Sequence, residues 1–152
     1  GTPFRVGFAT SNEFSDHEME KRNYLYLAPS KLRSCSIGPE LAIGFDFKNI
    51  QGTVRVMRAN QTIWAQEIKS GEDNIVHSLG NLEYHHFKYA NHRQPGMVNI
   101  HFMGADAFSF GANIKLEHGD LMEVNWEGMG RPLRNPVMHN RQKAAFFSVN
   151  PL

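Results

Sequence analysis

The sequence predicts an α+β domain that is mostly strand, with two helices. Three observations predict it. Two runs rich in β-branched and aromatic residues, 53–58 and 62–68, flank Ala59-Asn60-Gln61, a hairpin signature. Further strand-like runs at 97–103, 121–126 and 133–137 are joined by Gly-rich turns. Helix signals are confined to 16–22 and 72–88, so strands do not alternate with helices as a doubly wound sheet requires.

In chain order, Phe4-Arg-Val-Gly-Phe-Ala9 alternates like a strand close to the start. Ser15-Asp16-His17-Glu18 has the form of a capping box, with the Ser15 hydroxyl placed to accept from the amide of residue 18. The helix that follows has its acids early and Lys21-Arg22 late, as the helix dipole prefers. His17 and Glu20, three apart, share one face of it. Glu13 sits ahead of the helix, at a strand-to-helix junction. Residues 23–37 read as a long irregular loop and 41–47 as a strand. In 72–88, Ile75, Val76, Leu79, Leu82 and Phe87 form an apolar stripe, weakened by Gly80.

With 152 residues, 41% apolar and 20% charged, the chain suits one globular core. It contains no run long and apolar enough to span a membrane and no secretory pattern at its start. A net charge of +1 argues against a dedicated nucleic-acid binder; the basic run Arg131, Arg134, Arg141, Lys143 reads as a solvated tail. The lone cysteine, Cys35, fits a reducing cytoplasm and reads as a small buried hydrophobe. Eight histidines raise the possibility of zinc, yet none falls in His-Glu-x-x-His and there is no cysteine pair. His77, His85, His86, His92, His118 and His139 are accordingly read as surface or satisfied core residues.

The acids near the first helix differ in kind. Asp16 and Glu18 are explained as dipole complements. Glu13 lies outside the helix, where its carboxylate can be aimed into a cleft and serve a hard cation such as Mg²⁺.

At these residues the chain resembles the fumarylacetoacetate hydrolase family. The resemblance is carried by Asn12-Glu-Phe-Ser-Asp-His17, by Leu27-Ala-Pro-Ser-Lys31 and by Cys35-Ser-Ile-Gly-Pro39. It continues through Gln94-Pro-Gly96, His118-Gly-Asp-Leu-Met-Glu123, Glu127-Gly-Met-Gly130 and Leu133-Arg-Asn-Pro-Val137. Asn-Glu-Phe-Ser-Asp-His and Ser-Lys-Leu-Arg are similar, within the family, to a bacterial group of dehydratases of L-2-keto-3-deoxyarabonate. The resemblance implies a mixed β-roll or β-sandwich, with 1–137 as a C-terminal catalytic domain truncated at its start and 138–152 as a tail.

It also implies a divalent metal (Mg²⁺, with Mn²⁺ or Ca²⁺ as alternatives) held by Glu13 and by a Glu-x-Glu pair expected upstream. The family's arginine falls on His17 and its glutamine on Glu20, both of which normally meet the substrate carboxylate or keto group. His17 and Glu20 are therefore expected to bind substrate and move protons. The family's lysine falls on Pro29; Lys31 is the nearby lysine, so either a bulge restores it to the site or the role has moved. Gly104 and Ala105 occupy the family's Thr-Gly-Thr-Pro turn, where Ala105 removes a hydroxyl that Asp106 or Ser109 would replace. The implied activity is dehydration of a 2-keto-3-deoxy aldonic acid by a cytoplasmic homodimer. C–C hydrolysis of an acylpyruvate-type diketone and a non-catalytic β-rich binding or dimerisation module are the alternatives.

Overall fold

In the computed structural model, residues 1–141 and 145–151 are described; Lys143 of the expected basic tail lies outside them. The elements are β1 (Ser11–Glu13), α1 (His17–Arg22), α2 (Leu27–Ser30), β2 (Cys35–Ile37), β3 (Ile50–Arg58), β4 (Gln61–Ser70), α3 (Leu79–Phe87), β5 (Leu121–Trp126) and β6 (Leu133–Pro136). Strand outweighs helix, and all the sheet pairing is antiparallel. This is the α+β, mostly β class that the sequence predicts.

The larger sheet runs β4-β3-β5-β6. Its nucleus is the β3–β4 hairpin, whose turn residues Ala59 and Asn60 have φ of 48° and 64°. Left-handed backbone at both central positions twists a two-residue turn to match the strands. A register shift between Val56 and Met57 marks a bulge beside it. On β3, Ile50 and Val56 are buried, and along the β3–β5 pairing Val54 opposes Val124 and Val56 opposes Met122. Gly52 is required there: a Cβ would lie 2.4 Å from the Asn125 carbonyl and 2.6 Å from the Trp126 ring. A core of Phe47, Ile50, Leu79 and Met129 packs with Phe8, Phe45, Ile75, Met103 and Trp126.

Two charged clusters stitch the strands together. Glu123, 3% exposed, sits directly between Arg55 on β3 and Arg134 on β6 and is paired with both. Burial pushes its pKa up, but the hydrogen bonds from Arg134 and Arg55 outweigh that and leave it below the usual range. Asp120, 1% exposed, takes Arg58 in a fork at 2.8 Å on each oxygen and caps the Glu117 amide. The Arg58 hydrogen bonds lower its pKa.

The smaller sheet pairs β1 with β2, Glu13 opposite Cys35. Asn135 on β6 links it to the larger sheet, accepting from Ser36 Oγ at 2.7 Å and from Asn12 Nδ2 at 3.3 Å. Those two bonds fix where Glu13 leaves its strand.

Several expectations are corrected. Among the described residues, 4–9 and 41–47 meet at a single bridge, Phe8–Ala42, instead of forming strands, and 97–103 has no strand partner. The second helix begins at Leu79, not at residue 72, because Ser78 accepts from the Asn81 amide and the Glu72 carboxylate accepts from the Leu79 amide. Those two caps satisfy amides that a longer helix would have bonded internally. Ser15 does not cap α1: Asp16 does, accepting from the Met19 amide at 3.0 Å. Residues 23–37 are more regular than expected, winding into a 3₁₀ turn and α2 before β2, which makes three helices rather than two. Cys35 is exposed, at the start of β2 opposite Glu13 and lining the cleft.

Candidate functional site

Between the two sheets opens a cleft of about 1760 Å³. Its walls are the end of β1, the inner face of α1, the β3–β5 surface and segment 102–110. Among the expected site residues, Glu13, His17, Gly104 and Ala105 line it, whereas Glu20 and Lys31 stand just behind its wall.

Glu13 is exposed at the C-terminal end of β1, and its carboxylate has no hydrogen-bond or ion-pair partner among the described residues. It is therefore free to take a ligand from the cleft.

His17 is held more tightly. Its Nδ1 lies 3.2 Å from Glu20 Oε2, with the two side chains 32% and 31% exposed. A carboxylate only accepts, so the ring proton belongs on Nδ1 and Nε2 is left unbonded. The helix delivers this pair because residues three apart are stacked on one face. The Phe108 ring meets the imidazole edge-on at 4.7 Å, and the Phe110 ring stacks at 5.5 Å.

Lys31 places its ammonium 2.7 Å from Ser15 Oγ, and Ser15 lines the cleft. Lys31 thus faces the site through a hydroxyl. Its position follows from α2, where the buried Ser30 carbonyl accepts from the Asp16 amide and joins the two helices. Asp16 is fixed a second time by Arg33, at 2.6 Å. The Met19 amide, then Arg33, hold its pKa below the usual value. The rim carries both signs: Lys21 and Arg22 stand with Glu13 and Glu18, and Arg33 is committed to Asp16.

Sequence reasoning missed Phe108, Phe110 and Arg33 as neighbours of His17 and Asp16. Nothing local marks the phenylalanines, since their contact with α1 spans about 90 residues of chain. A second cluster also escaped it. The His86 ring lies 4.3 Å from His92 and 4.5 Å from His101. Asn99 donates to the His92 carbonyl, so its Oδ1 accepts from His86 Nε2, and His92 Nδ1 donates to the His86 carbonyl. His86 and His92 are satisfied, as expected. Among the described residues no group of three or more His, Cys, Asp or Glu side chains is arranged to hold a metal ion.

No helix among the described residues is long and apolar enough to cross a membrane. No family model matches the chain. None of the curated proteins matches it by sequence. Solved structures do match. A 2-keto-3-deoxyarabinonate dehydratase in a hexagonal crystal form superposes with a TM-score of 0.65 at 17% identity, covering 90% of this chain and 46% of that one. A 2-keto-3-deoxy-D-arabinonate dehydratase complexed with magnesium and 2,5-dioxopentanoate gives 0.66 at 16% identity, covering 90% and 48%. An apo form of 2-keto-3-deoxy-D-arabinonate dehydratase gives 0.60 at 18%, again covering 90% and 48%. The chain spans a little under half the length of these enzymes. At such identity the likeness establishes the fold: this chain has the architecture of one half of a 2-keto-3-deoxyarabinonate dehydratase, the fold that the sequence motifs led us to expect.

Proposed function

We propose that the chain forms part of the site of a divalent-metal lyase that dehydrates a 2-keto-3-deoxy aldonic acid. The observation that carries this reading is the Glu20–His17 pair beside the cleft that Glu13 enters. The fold likeness to dehydratases, one of them complexed with magnesium and 2,5-dioxopentanoate, supports it.

The residues present fit the metal as a partial ligand set. Mg²⁺ takes one or two carboxylates and fills its remaining positions with water and substrate oxygens. Glu13 fits as one such carboxylate, with the rest coming from outside the described residues. When bound, the ion supplies Lewis-acid charge to the carboxylate and keto oxygens of a 2-oxo acid. His17 Nε2 takes the proton from the carbon beside the keto group and returns a proton to the hydroxyl leaving the next carbon, so that water departs. Glu20 keeps the other ring nitrogen protonated. Lys31, acting through Ser15, adds positive charge near the forming anion. Gly104 and Ala105 form the wall against which the substrate lies.

The test is an assay of the polypeptide carrying this chain on a 2-keto-3-deoxy aldonic acid with Mg²⁺. Proton transfer by a positioned side chain contributes about 10²–10⁴-fold, so His17→Asn should lower kcat by at least a hundredfold. Glu13→Gln should weaken Mg²⁺ binding in calorimetry. An absence of keto-acid product at high enzyme concentration overturns the dehydratase. The second reading, a non-catalytic module, is favoured by Ala105 standing where a hydroxyl is expected; Mg²⁺ titration with no heat in the wild type would support it.

A further inference from the structure

We infer that Phe108 and Phe110 are positioning residues that hold the His17 imidazole in its working orientation; this rests on the reading of His17 as the proton-transfer group. They touch the ring from two directions, Phe108 at 69° to its plane and Phe110 at 25°. The phenylalanine rings also meet each other at 6.0 Å. Two such contacts restrict both side-chain torsions of His17, which a six-residue helix would otherwise leave free at its first position. Glu20 then decides which nitrogen faces the cleft.

The segment carrying the phenylalanines is built to deliver them. Asp106 adopts φ of 49°, bending the chain, and its carbonyl is fixed to β4 by Gln66 Nε2 at 2.8 Å. Beyond it a tight turn closes, with the Ala112 and Ile114 amides both reaching the Ser109 carbonyl at 3.1 Å. Gly111 leaves the space in which Phe108 lies: a Cβ there would be 2.5 Å from the Phe108 ring. Glycine at 111 therefore sets the Phe108 ring angle, and through it the His17 ring.

The test is read first without turnover. Long-range nitrogen–proton NMR of His17 should show one tautomer, protonated on Nδ1, with proton shifts displaced by the flanking rings. In the double variant Phe108→Leu, Phe110→Leu the tautomers should mix, and in Gly111→Ala, which keeps both rings, the displacement should change as well. Phe110→Tyr should retain the wild-type spectrum. Turnover should fall about tenfold to a hundredfold in kcat with KM little changed, as expected for a misaimed group. A single Nδ1-protonated tautomer persisting in the folded leucine and alanine variants would overturn the clamp, even where His17→Asn abolishes activity. Conversely, spectra that respond in a protein without dehydratase activity would sustain the clamp and sink the proposed reaction.

Discussion

Asp120 shows how much one residue here depends on its partners. Its carboxylate is 1% exposed, with both oxygens engaged by Arg58 and a backbone amide as a further donor. Removing the charge while leaving the guanidinium in place takes away the buried half of the pair and leaves the half-exposed Arg58 without its main partner. Asp120→Asn should therefore lower the urea midpoint markedly, without changing the slope that reports exposed surface. Asp16, Asp120 and Glu123 all have folded pKa values below their ordinary ones. Their contribution is complete above the carboxylate range near pH 4 and disappears as pH falls through the folded values, so acid unfolding should shift to higher pH in Asp120→Asn. His101 acts in a different window. Burial, then the neighbouring His86, lowers its pKa below 6.5. A neutral ring is favoured by folding, so its stabilisation is full above pH 6.5 and is lost as pH falls through the lower folded value. His101→Phe should flatten the dependence of Tm on pH below 6.5; an unchanged slope would show that the cluster titrates without cost.

At the scale of elements, legibility follows the range of the forces. The β3–β4 hairpin could be read from its sequence because two left-handed residues and alternating side chains are local. β5 was legible for the same reason. Residues 72–78 were not: their apolar spacing suits a helix, but the caps from Ser78 and Glu72 draw the boundary later, and Ile75 reaches the core from a turn. Residues 97–103 have a strand's composition and lack a neighbouring strand among the described residues, which composition cannot report. In the site, His17 and Glu20 could be paired by counting three positions along α1, while Phe108 and Phe110 reach them only through folding. Sheet packing gives one further expectation. Gly52→Ala on β3 should cost about 1–3 kcal/mol, since the added methyl meets the Asn125 backbone carbonyl of β5 as well as the Trp126 ring. Thermal unfolding checks it, and a neutral result would mean β3 and β5 can separate cheaply.

The whole molecule is open for its mass. A compact monomer of 17.3 kDa exposes about 7,800 Å². This chain exposes 11559 Å². The excess includes large apolar side chains such as Phe4, Val6, Leu41 and Ile43 at 84%, 65%, 52% and 79% exposure. Apolar surface on that scale favours association. The expected homodimer would cover part of it, and light scattering after size exclusion should then give at least twice the chain mass at about 100 µM. A monomer at that concentration would argue against self-association.

Asn135 carries a mechanical consequence. One amide on β6 receives both the Ser36 and Asn12 bonds, and Asn12 also reaches Met122 on β5, so the small sheet bearing Glu13 is riveted to the large one at neighbouring points. Asn135→Leu removes two of those rivets, so it should raise hydrogen exchange in β1 and β2 while leaving that of the β3–β4 hairpin untouched.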